Sequence, residues 1–168
     1  RVLKEECLDL PEKIYLKRYI ELSPEQKQAY MEMKRYGVAT LQKGETMSAV
    51  SALAQLVRLH QITCGHVKTD SAQEVKSIKN NRIAELLAVL EETNNRKIII
   101  WAVYRYDIRE IAKHLEKIYG TDSVATFYGD TDPRIRQEIV NRFQDKDSDL
   151  RFLVANPKTG GYGLTLTA

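Results

Sequence analysis

Apolar residues recur at helical intervals through the first half of the 168-residue chain and form unbroken runs in the second half. In the first half the spacing predicts three helices, over residues 24–36, 48–63 and 82–93. Ser23, followed by a proline, supplies the cap of the first helix, and Gly37 ends it. The first half is therefore predicted to be mainly helical.

Helical spacing also predicts which side chains share a face. One face of the second helix carries Leu53, Leu56, Val57 and His60, and the third helix should direct Ile83, Leu86, Leu87 and Leu90 inward. Residues 13–22 alternate well enough to predict a strand. The polar residues 41–47 are predicted to form a loop, and residues 65–79, which lack periodicity, a linker.

The second half alternates between strand and helix patterns. Strands are predicted over 97–103, 124–128 and 151–155, and helices over 107–119 and 133–144. Nearly continuous apolar runs are typical of strands covered on both faces, and repeated βαβ units form parallel sheets with right-handed crossovers. The chain is therefore predicted to be an α/β protein with a parallel βαβ core over 97–168, preceded by a mainly helical part over 24–93.

The composition limits the cellular location of the protein but does not identify its function. The net charge of +3 permits binding to nucleic acid without arguing for it, because local clustering matters more than the total. No apolar run reaches the roughly 18 residues of a membrane helix, and no secretory signal opens the chain. With only Cys7 and Cys64, a disulfide scaffold is excluded and an intracellular setting is expected.

The loops that follow the three strands should meet at the carboxyl edge of the sheet. The last of them contains Lys158, Thr159 and three glycines, Gly160, Gly161 and Gly163. Glycines tolerate unusual backbone conformations and let main-chain N–H groups approach an anion, so this segment predicts a phosphate site. A tight turn with no ligand is the alternative, at about even odds for a lone glycine motif. The loop after the first strand offers Tyr104, Arg105 and Tyr106, and basic and hydroxyl groups along one edge suit a phosphodiester backbone. The two tyrosines could stack on bases or simply pack.

Several kinds of chemistry are missing from the sequence. It contains no G-x-x-x-x-G-K-[ST] loop and no strand that ends in paired acidic residues for magnesium. His60, Cys64 and His66 lie close together, but their spacing matches no standard zinc pattern, so no metal site is predicted. The chain alone should not hydrolyse a nucleotide.

Five segments, in order, resemble the second, C-terminal motor lobe of Swi/Snf-like ATPases, in helicase superfamily two. They are residues 10–15 with 21–30, the helix 56–64, residues 97–104 (motif IV), 129–131 with Arg136, Gln137, Ile139 and Phe143, and residues 159–166 (motif V). The resemblance implies a single RecA-like lobe over 1–168, without a Walker A loop and with an N-terminal helical insertion. Such a lobe would grip the backbone of duplex DNA.

The resemblance also implies roles for individual residues. Lys158, Thr159 and Gly160 would lie near DNA phosphates, with Thr131 adding a hydroxyl contact, while Gly161 and Gly163 would couple that contact to an ATP cleft. Arg136, with Gln137 beside it, would fix the preceding loop. ATP and Mg²⁺ would bind in the intact protein, between this lobe and an N-terminal RecA-like lobe of the same chain, and neither would bind to this fragment alone.

The sequence departs from the family pattern in two motifs. Motif IV has Ala102 and Val103 in place of serine and glutamine, and motif V has Lys158 where arginine is common, which keeps the charge but loses the bidentate geometry. The arginines of motif VI would follow Ala168, so the chain is interpreted as a fragment. Two alternatives stay open: a non-catalytic nucleotide- or nucleic-acid-binding α/β module, and a lobe from another branch of the superfamily.

Overall fold

The computed structural model describes residues 13–41, 44–70, 75–161 and 166. Its first part contains three helices and two short antiparallel hairpins. In chain order these are α1 Pro24–Tyr36, β1 Val38–Thr40, β2 Thr46–Ser48, α2 Ala52–Cys64, β3 His66–Val67, β4 Lys76–Ser77 and α3 Arg82–Glu91. The mainly helical character predicted for this part is therefore present.

Helix α1 begins and ends where the sequence predicts. The Ser23 hydroxyl accepts a hydrogen bond from the Gln26 N–H, and the Gln26 side chain accepts one from the Ser23 N–H. This reciprocal capping box satisfies two N–H groups that a helix start leaves without partners. At the other end Gly37 adopts a left-handed conformation, with φ 68°, which glycine tolerates without strain.

A small core holds the helical part together. It consists of Ala29, Met33, Ala39, Met47, Ile62, Val67 and Ile78. Two of these residues, Met47 and Val67, lie in the hairpin strands β2 and β3, within segments predicted to be a loop and a linker. Strands of two or three residues are too short to show a period in sequence, and burial of one side chain decides their position.

One prediction for this part is wrong. Residues 13–22 form no strand, and no strand among the described residues pairs with them; Tyr15 and Tyr19 are exposed. The shared face of α2 exists, but it points to solvent, with Leu53 73% and Leu56 64% exposed. Periodicity identifies a face, whereas burial depends on what packs against it.

The second part is a three-layer α/β unit. Its elements are β5 Ile98–Trp101, α4 Arg105–Tyr119, a 3₁₀ turn Thr121–Ser123, β6 Val124–Phe127, α5 Pro133–Gln144, β7 Phe152–Ala155 and the single-turn helix α6 Pro157–Gly160. The strands form a parallel sheet in the order β5–β7–β6. All four residues of the central strand β7 are buried, which explains its unbroken apolar run.

Helices cover both faces of this sheet. On one face α3 and α4 pack against Ile98, Ile100, Val124, Phe152 and Val154. On the other face α5 packs, through Ile139, Val140 and Phe143, against Ala125, Phe127, Leu153 and Ala155. The predicted parallel sheet flanked by helices is confirmed, as is the inward direction of the apolar residues of α3. No helix in the described part of the chain is long and apolar enough to cross a membrane.

Candidate functional site

The three loops predicted to share the carboxyl edge of the sheet are in direct contact there. The Ala102 N–H donates to the carbonyl of Ala155 at 2.9 Å, and the Asn156 N–H donates to the carbonyl of Phe127 at 2.9 Å. The Asn156 side-chain amide also donates to the carbonyl of Val103 at 2.8 Å. Asn156 therefore joins the loop after β7 to the loops after both neighbouring strands.

The glycine-rich segment after β7 begins as one turn of helix, α6. The Asn156 side chain caps this turn by accepting a hydrogen bond from the Lys158 N–H at 2.9 Å, and Pro157 occupies the first helical position. The N–H groups of Thr159 and Gly160 donate to the Asn156 carbonyl. Because these amides already have acceptors, the cradle of free N–H groups predicted here is absent from residues 158–160.

Two glycines of this segment are required for space rather than for backbone freedom. A Cβ atom on Gly160 would lie 3.1 Å from the ring of Trp101, and one on Gly161 would lie 2.4 Å from the carbonyl oxygen of Pro157. Gly161 has an ordinary right-handed conformation, with φ −80°. Gly161 is therefore needed for space and not, as predicted, for an unusual backbone conformation.

The predicted site residues of this segment differ in accessibility. Lys158 is exposed, Thr159 is half-buried and Gly160 is buried against Trp101. Gly161 is exposed at the end of the turn. Gly163 lies outside the described residues. The groups of α6 that a ligand can reach are therefore side chains, above all the Lys158 ammonium.

The loop after β6 is held by internal hydrogen bonds. The Thr131 side chain, 8% exposed, accepts from the Tyr128 N–H at 3.0 Å and donates to the carbonyl of Thr126 at 3.1 Å. The Arg136 guanidinium donates to the carbonyls of Thr131 at 3.1 Å and Tyr128 at 3.4 Å. Gln137 is exposed and donates only to Asn141, one turn further along α5.

Two arginines lie at the same edge: Arg105, which the sequence places in the first loop, and Arg109, which the sequence interpretation missed. Arg105 and Arg109, on the first two turns of α4, both contact the carboxylate of Asp130, at 2.9 and 3.1 Å. The Arg109 Nε–H also donates to the Tyr128 hydroxyl at 3.2 Å, and this contact raises the pKa of Arg109. The sequence signal is their spacing of four, which places both side chains on one face of a helix that starts at the carboxyl edge.

The histidines have partners within the protein. His66 Nδ1 lies 2.9 Å from Asp107 Oδ1, close enough for an ion pair but not aligned as a hydrogen bond. His60 Nδ1 lies 3.0 Å from the Tyr104 hydroxyl. The rings of Tyr104 and Tyr106 pack against His66, so packing is the arrangement found for both tyrosines. The described residues contain no group of three or more His, Cys, Asp or Glu side chains placed to hold a metal ion.

A cavity of about 520 Å³ lies between the helical part and the sheet, and its lining reaches the carboxyl edge at Trp101 and Ala102. Its wall is mostly apolar, and both arginines that line it are already paired. Arg18 contacts Glu92, and Arg82 contacts Asp107 at 3.7 Å. Lys79 also lines the cavity and has no ion-pair partner among the described residues, so one unpaired lysine lies beside the mostly apolar wall.

Comparison with known proteins identifies the family. Residues 78–168 match the model of the helicase conserved C-terminal domain. The chain belongs to this family. A solved structure, the C-terminal domain of the SWI2/SNF2 ATPase of Sulfolobus solfataricus, superposes with a TM-score of 0.61 at 23% identity, over 89% of this chain and 65% of that one. The likeness confirms the RecA-like fold of a C-terminal helicase lobe.

Bacterial relatives align with almost all of this helicase lobe. An uncharacterized ATP-dependent helicase of Mycoplasma genitalium is 28% identical over 170 residues, which is 100% of this chain and 16% of the relative. A Bacillus subtilis protein named as an ATP-dependent helicase/translocase, YwqA, is 30% identical over 173 residues, 98% of this chain and 18% of the relative. The chain spans less than a fifth of the length of these curated relatives.

Proposed function

We propose that this chain is the second motor lobe of an ATP-driven DNA translocase of the Swi/Snf type. In this proposal Lys158 and Thr159 contact phosphates of the DNA backbone, and no base is read. The observation that carries it is the position of the exposed Lys158, two residues after Asn156, whose hydrogen bonds join neighbouring strands at the carboxyl edge of a helicase C-terminal lobe. Basic and hydroxyl side chains along one edge suit a phosphodiester backbone.

The electrostatic state of Lys158 supports a ligand at this position. Lys158 is exposed, and no acidic side chain in the described part of the chain lies within ion-pairing distance of it. An unpaired ammonium can contact a phosphate without first breaking an internal ion pair. The half-buried Thr159 beside it adds a hydroxyl.

We propose that the loop after β6 is stabilised by Thr131, Arg136 and Gln137, and that these residues take no direct part in ATP hydrolysis. The only hydrogen of the Thr131 hydroxyl is donated to the carbonyl of Thr126, so a direct contact with phosphate would break that bond. Arg136 donates to two carbonyls of the same loop, as fixing the loop requires. Gln137 makes one exposed contact within its own helix, so its contribution should be the smallest.

ATP and Mg²⁺ are proposed to bind mainly to an N-terminal RecA-like lobe of the same protein. The described residues of this chain do not fit them alone, because the N–H groups of residues 158–161 are occupied and no acidic cluster is present to hold a metal. We propose that Gly161 and Gly163 lie on the side of the edge that faces the shared ATP cleft. The isolated chain should therefore show no ATPase activity and at most weak, salt-sensitive binding to DNA.

The test is the ATPase rate of the full gene product, with and without duplex DNA. Lys158→Ala should lower the DNA-stimulated rate more than the basal rate, because the ammonium acts on DNA and not on ATP. Lys146→Ala is the matched control: it removes an equal charge from an exposed residue in the turn before β7, at the opposite edge of the sheet. Equal loss of both rates in Lys158→Ala, or an equal effect of Lys146→Ala, would contradict the proposal.

A strand-displacement assay separates this proposal from a lobe of another superfamily-two branch. A Swi/Snf-type translocase should move along duplex DNA and displace a third strand from a triplex without separating the duplex. Separation of the duplex would assign the chain to another branch. A full gene product that binds DNA but hydrolyses no ATP would instead support the non-catalytic binding module.

A further inference from the structure

We propose that Arg105 and Arg109 form a second phosphate-binding site at the carboxyl edge, and that Asp130 occupies this site until a phosphate of the DNA backbone displaces it. The inference rests on the proposed function, since it requires DNA to lie along this edge. It adds two binding residues and a carboxylate that competes with the ligand. The ligand class is a phosphodiester.

The geometry shows an anion already held by two cations. Asp130 Oδ1 lies 2.9 Å from Arg105 Nη1, and Asp130 Oδ2 lies 3.1 Å from Arg109 Nη2. Each oxygen of the carboxylate thus contacts a different guanidinium. A phosphodiester presents the same pattern, with one negative charge shared by two free oxygens, so it can take the place of the carboxylate between the two arginines.

One of the two arginines, Arg109, is oriented before a ligand arrives. The Arg109 Nε–H donates to the Tyr128 hydroxyl at 3.2 Å, and the guanidinium lies 6.0 Å from the centre of the Tyr128 ring. Tyr128 begins the loop that Arg136 and Thr131 hold in place. A side chain fixed in this way loses less conformational freedom when it binds an anion.

Charge and exposure favour exchange of the carboxylate for a phosphate. Two arginines and one aspartate leave one positive charge, and the arginine side chains are 66% and 63% exposed. Ion pairs this exposed contribute little to stability, so the carboxylate can leave. Arg134 differs, because it pairs one-to-one with Asp132 through two nitrogens, which leaves no net charge. Arg134 is therefore a matched control.

The experiment measures the affinity of the full gene product for a fluorescein-labelled duplex between about 50 and 200 mM salt. In Arg105→Gln and Arg109→Gln the slope of log affinity against log salt should fall by about one for each arginine removed. Arg134→Gln should leave the slope nearly unchanged. Arg105→Lys, which keeps the charge but loses the planar fork, should keep the slope and weaken binding at every salt concentration.

Asp130→Asn separates this inference from a purely structural ion pair. Removal of the competing charge should tighten DNA binding by about two- to fivefold, the range expected for an exposed ion pair. Weaker binding by Asp130→Asn would show that the carboxylate only holds the loop, and would overturn the inference. A thermal melt of each variant establishes that it is folded.

The remaining outcomes distinguish this inference from the proposed function. If Lys158→Ala weakens DNA binding while the two glutamine variants keep the wild-type slope, the inference is wrong and the proposed function stands. If the wild-type protein does not bind DNA, the proposed function itself fails. A rise in the KM for ATP without DNA, in the glutamine variants alone, would assign the arginines to nucleotide phosphate and overturn the inference.

Discussion

The indole ring of Trp101 lies 3.1 Å from the point that a Cβ atom would occupy on Gly160. Trp101 ends β5, and Gly160 ends the α6 turn that carries Lys158. The turn is therefore seated directly on the last residue of a neighbouring strand. Since the chain has one tryptophan, its fluorescence reports on the surroundings of Trp101, which include this contact.

Alanine substitutions at Gly160 and Gly161 should disturb the α6 turn to different degrees. At Gly160 the new methyl group meets a side-chain ring, which can shift, whereas at Gly161 it would lie 2.4 Å from the backbone oxygen of Pro157. We expect Gly160→Ala to lower the free energy of unfolding by about 1–3 kcal/mol and to change Trp101 emission. Gly161→Ala should instead open the turn, because a backbone atom must move.

Urea denaturation followed by tryptophan fluorescence measures both effects. Gly129→Ala is the matched control, since its methyl group would meet only Arg105 Nη2, at an ordinary contact distance of 3.7 Å. A Trp101 spectrum unchanged in Gly160→Ala, or changed equally in Gly129→Ala, would contradict the close packing of the ring on the turn.

Arg136 should contribute far more to stability than its neighbour Gln137. Arg136→Ala removes the donors to the carbonyls of Thr131 and Tyr128, and should lower the free energy of unfolding by about 1.5–3 kcal/mol. Gln137→Ala removes one exposed contact with Asn141, and should change it by about 0.5 kcal/mol or less. Thermal melts of both variants test this difference, and equal effects would show that Arg136 does not hold the loop.

The sheet could be predicted from the sequence because its strands are buried on both faces. The run over 152–155 is apolar without interruption, and that pattern does not depend on which element covers each face. Residues 13–22 show the limit of such reasoning. A strand needs a partner for its backbone hydrogen bonds, and alternation in sequence cannot say whether one is present.

The loops of the candidate site meet as the strand pattern predicts, but the backbone that the sequence predicted for the glycine-rich loop is wrong. The glycines indicated free N–H groups, whereas Asn156 followed by Pro157 is a helix start, and the structure forms one. Arg109, and the pairing of both arginines with Asp130, were missed because Asp130 comes from a different loop. Contacts between loops are set by the order of the strands in the sheet, which the pattern of apolar residues leaves open.

The buried pair of His66 and Asp107 should be among the strongest links between the helical part and the sheet core. Their atoms are 2.9 Å apart, and the residues are 1% and 6% exposed. Asp107→Ala leaves His66 and Arg82 without this carboxylate, and should lower the free energy of unfolding by about 1–3 kcal/mol, the cost of leaving a buried polar group without its partner. Arg134→Ala, which breaks an exposed pair, should have a much smaller effect on the free energy of unfolding.

A double-mutant cycle tests whether the loss arises from that pair. Asp107→Ala should be much less harmful in a His66→Leu background, because the buried imidazole is then already gone. Additive effects of the two substitutions, measured by urea denaturation, would show that the residues do not interact.

Cys64 should remain protonated well above the pH at which a free thiol ionises. Burial, assisted by the negative charge of Asp107 and opposed by Arg82, raises the pKa of this thiol from 9.0 to about 11. The folded protein therefore holds the proton more tightly than the unfolded chain does. The stability that this provides is complete below about pH 9 and is lost as the pH rises to about 11.

The rate of alkylation by iodoacetamide measures this pKa, since only the thiolate reacts. In a Cys7→Ser background Cys64 is the sole thiol, and its rate should rise with an inflection near pH 11 in the folded protein and near pH 9 in denaturant. The free energies of unfolding of Cys7→Ser and Cys7→Ser/Cys64→Ala should also be compared. Their difference should shrink between about pH 9 and pH 11, and the other titrating groups do not contribute to it because both variants contain them. An inflection near pH 9 in the folded protein would show that solvent reaches Cys64 and that burial does not control its ionisation.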